Sequence, residues 1–168
     1  MITTFYTDGS AHPNPGPGGY GIIGIDENNE ICFVRNRQYP NEKVTNNEME
    51  LKAILYVMIK YGVNINHPLY GLTEKEPIVY SDSSYCVNIF NDWMFNWAKN
   101  GWIKSSDKKP PENLEIIKAY YDLYQQGFRI DLRKVKGHAN NEYNNLADKL
   151  ATNKITEEEI CKSKINVL

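Results

Sequence analysis

Two strand-like stretches of this chain end in nearly the same sequence. Tyr6-Thr7-Asp8 precedes Gly9-Ser10, and Tyr80-Ser81-Asp82 precedes Ser83-Ser84, so each stretch leaves an aspartate where the strand stops. If the two strands are parallel neighbours in one sheet, Asp8 and Asp82 lie side by side at its carboxyl edge, where open α/β sheets bind ligands. Two carboxylates that close repel each other unless a cation lies between them. The pair therefore predicts an α/β fold with a cation site at the sheet edge.

The composition sets the class of protein. A chain of 168 residues with 41% hydrophobic content fits one domain with a real core. The N-terminus lacks the basic start and apolar run of a secretory signal, and no apolar stretch approaches the ~18 residues of a membrane span. Three widely spaced cysteines argue against a disulfide framework or a Cys-x-x-Cys metal site. We therefore expect an unexported, cytoplasmic protein without a membrane contact.

The net charge limits how the protein can bind nucleic acid. At −2 it argues against coating a duplex by bulk electrostatics, so any contact with phosphates must be concentrated in local basic patches.

Hydrophobic periodicity and turn residues predict an alternation of strands and helices. We expect strands over 2–7, 20–25, 31–37, 78–81 and 128–135, and helices over 47–61, 83–98, from after Pro110-Pro111 to Gln126, and 144–153. Gly16-Pro17-Gly18-Gly19 predicts a break before the second strand.

Glu50 is the unusual residue of the helix predicted over 47–61. At ~100° per residue it lies about 200° from Glu48, which belongs to a stripe that can face water. It is in line with Val57 and Met58, so its carboxylate lies on the apolar side and needs a partner. The alternative is a solvent-exposed carboxylate that the helix dipole stabilises in the first turn.

Four carboxylates become informative together. Asp8 and Asp82 end strands, Glu50 lies on an apolar helix face, and Asp148 lies near the start of the last helix. Alone, Asp148 is equally well explained as a dipole-stabilised surface residue. If all four converge at one sheet edge without basic partners, they suit a hard cation such as Mg²⁺ or Mn²⁺.

Six motifs follow one another along the chain. They are Tyr6–Ser10, Asn14–Gly21, Thr45–Leu51, Ser81–Tyr85, Trp93–Trp102 and Val135–Ala139, the last leading to Asn144 and Asp148. Together they resemble the type 1 ribonucleases H of bacteria, the metal-dependent nucleases that cut the RNA strand of an RNA/DNA hybrid. Each motif alone is weak. Six with compatible order and spacing, over residues 3 to about 152, are specific.

The resemblance implies a ribonuclease H-like fold, which is a five-stranded mixed sheet flanked by helices. Strands 1–3 are antiparallel, and strands 4 and 5 are parallel to strand 1. Residues 1–155 would form the ribonuclease H domain, and residues 156–168 a C-terminal tail.

The resemblance also assigns the chemistry. It makes Asp8, Glu50, Asp82 and Asp148 ligands of two divalent ions, Mg²⁺ or Mn²⁺, and His138 the histidine that relays protons or helps product leave. The implied reaction is endonucleolytic hydrolysis of the RNA strand, with 5′-phosphate and 3′-hydroxyl ends.

Substrate contacts follow from the same resemblance. Asn14, Asn46 and Asn47 match positions that line the minor groove, where the 2′-hydroxyl distinguishes RNA from DNA. Thr45 matches a contact to a phosphate of the DNA strand. Turn formation and helix capping are the structural alternatives for these residues.

A basic segment forms the second implied contact. It runs from Trp93 to Lys109 and contains Trp97 and Trp102, and its charge comes from Lys99, Lys104, Lys108 and Lys109 against the single acid Asp107. Core packing is the alternative for the tryptophans. The expected partner is an RNA/DNA hybrid bound by a monomer.

Two other functions stay open. One is a different nuclease or recombinase of the same fold, since fold does not fix function; such a protein is not expected to share Thr45–Leu51 or the His138 loop. The other is a catalytically silent hybrid-binding module, which could dispense with part of the acidic set. All four carboxylates are present, so we predict an active enzyme.

Overall fold

The computed structural model describes residues 1–135 and 141–161. Its strands are β1 (Ile2–Ala11), β2 (Gly16–Asp26), β3 (Ile31–Val44), β4 (Val63–Asn64), β5 (Ile78–Ser81), β6 (Phe128–Arg129) and β7 (Asp131–Lys134). Its helices are α1 (Asn46–Tyr61), α2 (Ser84–Asn88), a π-helical segment (Ile89–Trp93), α3 (Met94–Lys99), α4 (Leu114–Gln125) and α5 (Glu142–Ala151). Within these residues no helix combines the length and the apolar character needed to cross a bilayer.

Five of the strands form one mixed sheet in the order β3-β2-β1-β5-β7. β2 is antiparallel to both β1 and β3, whereas β5 is parallel to β1 and β7 is parallel to β5. The predicted sheet is thereby confirmed. Thr7 lies opposite Ser81 in the parallel pair, so the next residue of each strand, Asp8 and Asp82, emerges at the same edge.

The break predicted at Gly16–Gly19 is wrong, because β2 already begins at Gly16. Glycine is needed here for close approach of neighbouring chain segments. A Cβ atom on Gly18 would lie 2.4 Å from the carbonyl oxygen of Ser10 in β1. A Cβ atom on Gly21 would lie 2.4 Å from the Cβ atom of Leu150, so glycine at this position also lets α5 pack closely against the sheet.

The sheet separates two hydrophobic clusters. Because successive side chains of a strand point to opposite faces, Phe5 and Tyr6 of β1 belong to different clusters. Phe5 packs with the buried face of α1, including Ile54 and Met58. Tyr6 packs with the face of α5 and with Ile160. Helices therefore cover both faces of the sheet, and α1 and α5 approach its carboxyl edge from opposite sides.

The segment predicted as one strand over 128–135 is divided in two. β6 pairs antiparallel with β4 in a separate two-stranded sheet, and β7 joins the main sheet. α4 ends as predicted, since Gly127 follows it with a positive φ of 99°. The helical prediction over 83–98 holds for α2 and α3, with the π-helical segment between them.

Candidate metal centre and active site

Three carboxylates meet at the end of the parallel pair β1 and β5. α1 carries Glu50 to the point where Asp8 and Asp82 leave the sheet, and one oxygen atom from each of the three lies within 4.8 Å of the others. Asp8 and Glu50 are buried, with exposed fractions of 6% and 4%, whereas Asp82 is exposed. The solvent-exposed alternative for Glu50 is therefore wrong.

Two strands hold the Glu50 carboxylate in place. The backbone N–H of Gly9 donates to Oε2 of Glu50 at 2.8 Å, and the hydroxyl of Ser81 donates to Oε1 at 2.8 Å. The same N–H of Gly9 lies 2.9 Å from Oδ1 of Asp8. A Cβ atom on Gly9 would lie 2.3 Å from the backbone nitrogen of Glu50, so only glycine lets β1 approach α1 this closely.

The electrostatics show an excess of negative charge. Burial, followed by the charges of Glu50 and Asp82, raises the pKa of Asp8 well above its usual range. Burial also raises the pKa of Glu50. Burial and the charge of Asp148 raise the pKa of Asp82, which Lys134 lowers in part. Across residues 1–135 and 141–161, none of these four carboxylates forms a salt bridge.

Asp148 approaches the cluster from the other side of the sheet. It lies on an exposed position of α5, while Ala147 and Leu150 beside it are fully buried. α5 begins at Glu142, earlier than predicted, because the side chain of Asn141 caps it. Asp148 is therefore in the second turn, where the helix dipole explains it less well. Asp148 is not in the group of three carboxylates within 4.8 Å, but it is among the causes that raise the pKa values of Asp8 and Asp82.

The sequence matches a known family over nearly its whole length. The family model described as RNase H matches residues 2–156. The chain belongs to the ribonuclease H family. It is therefore an endoribonuclease, and the prediction of a type 1 ribonuclease H is confirmed.

Curated relatives in this family include bacterial enzymes named ribonuclease H. The one from Caldanaerobacter subterraneus subsp. tengcongensis is 40% identical over 159 residues, which cover 92% of this chain and 91% of that protein. The one from Thermoanaerobacter sp. is 38% identical over 159 residues, which cover 92% of this chain and 90% of the relative.

Solved structures of ribonucleases H share the fold. LC11-RNase H1, isolated from compost by a metagenomic approach, is 25% identical with a TM-score of 0.59, and the match covers 97% of this chain and 99% of that chain. The solution structure of the PFV RNase H domain is 27% identical with a TM-score of 0.65, covering 89% of this chain and 92% of that one. LC11-RNase H1 has also been solved in complex with an RNA/DNA hybrid.

The residues that the ribonuclease H motifs assign to the minor groove, and Thr45, which they assign to a phosphate of the DNA strand, lie around the start of α1. Thr45 caps the helix, since its Oγ1 accepts from the backbone N–H of Glu48 at 3.1 Å. The backbone N–H of Asn46 donates to Oδ1 of Asn14 at 3.1 Å, and Oδ1 of Asn46 accepts from the N–H of Ala11 at 2.7 Å. These bonds give Thr45, Asn14 and Asn46 structural roles. The bonds of Asn14 and Asn46 use the amide oxygens, and the NH₂ group of each amide is the donor that would contact a substrate.

Asn47 lies beside Asn46 in the first turn of α1, and its side chain is exposed. Asn14, Asn46 and Asn47 are thus brought to one place, next to the strand end that carries Asp8.

The tryptophans of the basic segment have clear packing roles. Trp97 lies 6.2 Å from Trp93, and Trp102 meets the ring of Tyr121 edge-on at 5.2 Å, measured between ring centroids. Both residues pack against the main hydrophobic cluster. Core packing therefore accounts for part of their presence.

Lys99 and Lys104 of this segment differ in their surroundings. Lys99 is exposed at the end of α3. Lys104 forms a salt bridge of 3.1 Å with Asp107, which offsets its charge. His138, the remaining predicted site residue, lies outside the described residues.

Sequence reasoning missed the roles of Gly9 and Ser81 as donors to Glu50. One signal was available: Ser81 is a small hydroxyl residue at the end of the short buried strand 78–81. A buried hydroxyl needs a partner. Its partner is 31 positions away in the sequence, on a helix, so the signal did not identify which group it bonds.

Proposed function

We propose that this protein hydrolyses the RNA strand of RNA/DNA hybrids endonucleolytically, leaving 5′-phosphate and 3′-hydroxyl ends. Two divalent ions, Mg²⁺ or Mn²⁺, would be held by Asp8, Glu50, Asp82 and Asp148. The observation that carries this proposal is the cluster of Asp8, Glu50 and Asp82 at the end of β1 and β5, in which one carboxylate oxygen of each residue lies within 4.8 Å of the others.

The donor set fits such ions. Every donor is a carboxylate oxygen, the ligand that Mg²⁺ and Mn²⁺ prefer. Burial, and then the charges of neighbouring carboxylates, raise the pKa values of Asp8 and Asp82, and a divalent cation would neutralise that negative charge. When bound, the two ions supply an activated water as nucleophile and charge stabilisation for the departing 3′ oxygen.

The protein's own residues provide orientation and access. Gly9 and Ser81 fix the Glu50 carboxylate, so this ligand needs little reorganisation. Asp82 and Asp148 are exposed, which leaves an open side for a duplex. We assign His138 to proton relay or product departure on the strength of the Val135–Ala139 motif.

Hybrid recognition would come from two groups of residues. Asn14, Asn46 and Asn47 would contact the minor groove and its 2′-hydroxyls, with Thr45 on a phosphate of the DNA strand. The hybrid held by LC11-RNase H1 supports this class of substrate.

The second group would contact the duplex backbone through the basic segment, with Trp97, Lys99, Trp102 and Lys104. A monomeric state, a cytoplasmic location and the division at residues 155 and 156 stay predictions.

The test is cleavage of matched RNA/DNA, RNA/RNA and DNA/DNA duplexes, with each strand labelled in turn, with and without Mg²⁺. We expect internal cuts only in the RNA strand of the hybrid and only with the metal, and products that a ligase can rejoin through their 5′-phosphates. Asp82→Asn is the matched control, because this side chain is exposed and its volume hardly changes. Cleavage of RNA/RNA at a comparable rate, or activity in EDTA, would contradict the proposal.

A further inference from the structure

Ser81 occupies an unusual place beside the carboxylate cluster. It is the last residue of β5 and is completely buried, directly before Asp82. Its Oγ lies 2.8 Å from Oε1 of Glu50 and 3.2 Å from the backbone nitrogen of Ser83. The hydroxyl therefore joins the helix that carries one site carboxylate to the strand that carries another.

The direction of these two hydrogen bonds is fixed by chemistry. A backbone N–H can only donate, so Oγ of Ser81 accepts from Ser83. The single hydroxyl proton is then available for Glu50, whose carboxylate accepts it. Since Gly9 donates to the other oxygen of Glu50, donors from two adjacent strands fix the rotation of the carboxylate plane.

Thr7 shows that this bond is not a general feature of a buried strand end. Thr7 is the register partner of Ser81 in the parallel pair, is also completely buried, and also directly precedes a site aspartate. Its hydroxyl donates instead to the backbone carbonyl of Tyr80 at 3.1 Å. Of these two equivalent hydroxyls, only that of Ser81 donates to a site carboxylate.

We propose that Ser81 is a positioning residue that orients the Glu50 carboxylate for divalent cation binding. This inference rests on the proposed function, in which Glu50 is a metal ligand. Without the hydroxyl, Oε1 of Glu50 loses its donor in a buried environment, so the carboxylate can rotate away from Asp8 and Asp82. Groups that orient a metal ligand typically contribute 10–100-fold to metal affinity.

The experiment compares Ser81→Ala with Thr7→Val, which removes the equivalent buried hydroxyl without touching a carboxylate. Binding of Mn²⁺ alone to each whole protein is measured by titration calorimetry, and melting temperature is measured in EDTA. Hybrid cleavage is then measured across a wide range of Mg²⁺ concentration. We expect Ser81→Ala to weaken Mn²⁺ binding by at least about tenfold and to regain most of its kcat at high Mg²⁺.

Thr7→Val is expected to bind Mn²⁺ as the wild type does, whatever its melting temperature. KM for the hybrid should be unchanged in both variants at saturating Mg²⁺. Equal Mn²⁺ affinity of Ser81→Ala and wild type, or an equal loss in Ser81→Ala and Thr7→Val, would overturn the positioning role.

Asp82→Asn separates this inference from the proposed function. If Asp82→Asn abolishes Mn²⁺ binding and hybrid cleavage while Ser81→Ala changes neither, only the role of Ser81 is wrong. If the wild type binds no Mn²⁺, or Asp82→Asn binds it normally, the metal site and the inference both fail.

Discussion

The four candidate metal ligands form a buried half and an exposed half, which are held in different ways. Asp8 and Glu50 are buried between β1 and α1 and accept hydrogen bonds from Gly9 and Ser81. Asp82, directly after β5, and Asp148, on α5, lie at exposed positions. The buried half is therefore fixed by the same packing that forms the core, whereas the exposed half is accessible to a ligand.

This difference implies a division of labour. Burial raises the pKa values of Asp8 and Glu50, so their ionisation is unfavourable in the metal-free protein. A bound cation would offset this unfavourable free energy. The exposed carboxylates can contact a cation that arrives from solvent. The following predictions test this division, from the largest expected effect to the smallest.

The largest effects should come from Asp8→Asn and Asp82→Asn. Each removes a metal-binding charge with little change in volume, so hybrid cleavage should fall to background in both variants. Their melting temperatures in EDTA should differ. Asp8→Asn should be the more stabilised, because it removes a buried charge from a repulsive cluster, whereas Asp82→Asn removes an exposed one.

Two results would contradict the roles assigned to the buried and the exposed carboxylates. Near wild-type cleavage in either variant would remove that residue from the metal site. A clear drop in the melting temperature of Asp8→Asn would mean that the buried carboxylate of Asp8 stabilises the folded protein, whereas we expect it to destabilise the metal-free protein.

His138→Ala should have the next largest effect, because this residue belongs to neither half. We expect kcat to fall by roughly 10², in line with the usual contribution of a positioned acid or base, while Mn²⁺ binding stays the same. Steady-state kinetics and calorimetry on the same preparation measure both quantities. An unchanged kcat would assign His138 to the protein surface.

The pH dependence of stability follows from the raised pKa values of the buried half. The ordinary values are 3.8 for Asp8 and 4.5 for Glu50, and both are raised in the folded protein. Between the ordinary and the raised values the folded state holds protons that the unfolded chain has lost. The free energy of unfolding of the metal-free protein therefore falls as pH rises from about 4 towards neutrality.

The measurement is the difference in melting temperature between Asp8→Asn and wild type, in EDTA, from pH 4 to 8. The difference should grow in favour of Asp8→Asn with rising pH, and saturating Mg²⁺ should reduce it. Groups remote from the cluster titrate equally in both proteins, so a difference that stays constant with pH would show that the pKa of Asp8 is not raised in the folded protein.

Sequence patterns predicted both residues of the buried half but not the groups that hold them in place. The aspartates at two strand ends and the apolar face of α1 identified Asp8, Asp82 and Glu50, since strand and helix periodicity decide where such side chains lie. Periodicity contains no information on contacts between distant elements. The bond between Ser81 and Glu50 is such a contact.

The break predicted at Gly16–Gly19 was wrong for the same reason. A glycine run favours a turn when only neighbouring residues are considered. At Gly18 and Gly21 it instead permits contact with β1 and α5, which are distant in sequence. Local patterns therefore predicted the elements and most of the site, but not the close packing that orients them.

The minor-groove residues should give a smaller effect than the carboxylates. Asn47→Ala removes an exposed amide, so we expect cleavage of the hybrid to weaken by about tenfold, roughly the worth of one hydrogen bond. Asn46→Ala also removes the bond to Ala11, so it should lower the melting temperature as well. Cleavage rates, melting curves and Mn²⁺ titrations separate the two variants. Normal rate and normal strand preference in a variant that carries both changes would leave Asn46 with only its structural bond to Ala11.

The smallest effects should come from the basic segment. Within it, Lys99 and Lys104 should differ in how much they contribute to the salt dependence of hybrid binding. Lys99 is exposed and, among residues 1–135 and 141–161, forms no salt bridge, whereas Lys104 is paired with Asp107. A lysine that neutralises one phosphate releases a counterion, which contributes about 0.7–0.9 to the slope of log affinity against log salt.

Lys99→Ala should therefore reduce that slope by nearly this amount and raise KM at low salt, without changing kcat. Lys104→Ala should reduce it less, because Asp107 already offsets part of its charge. The measurement is KM for the hybrid from 50 to 200 mM salt, a range over which such contacts weaken markedly. Both variants should bind Mn²⁺ normally, since neither contacts the carboxylates. An equal reduction in slope would mean that the salt bridge of Lys104 opens when the duplex binds, and an unchanged slope in both would exclude this segment from the duplex contact.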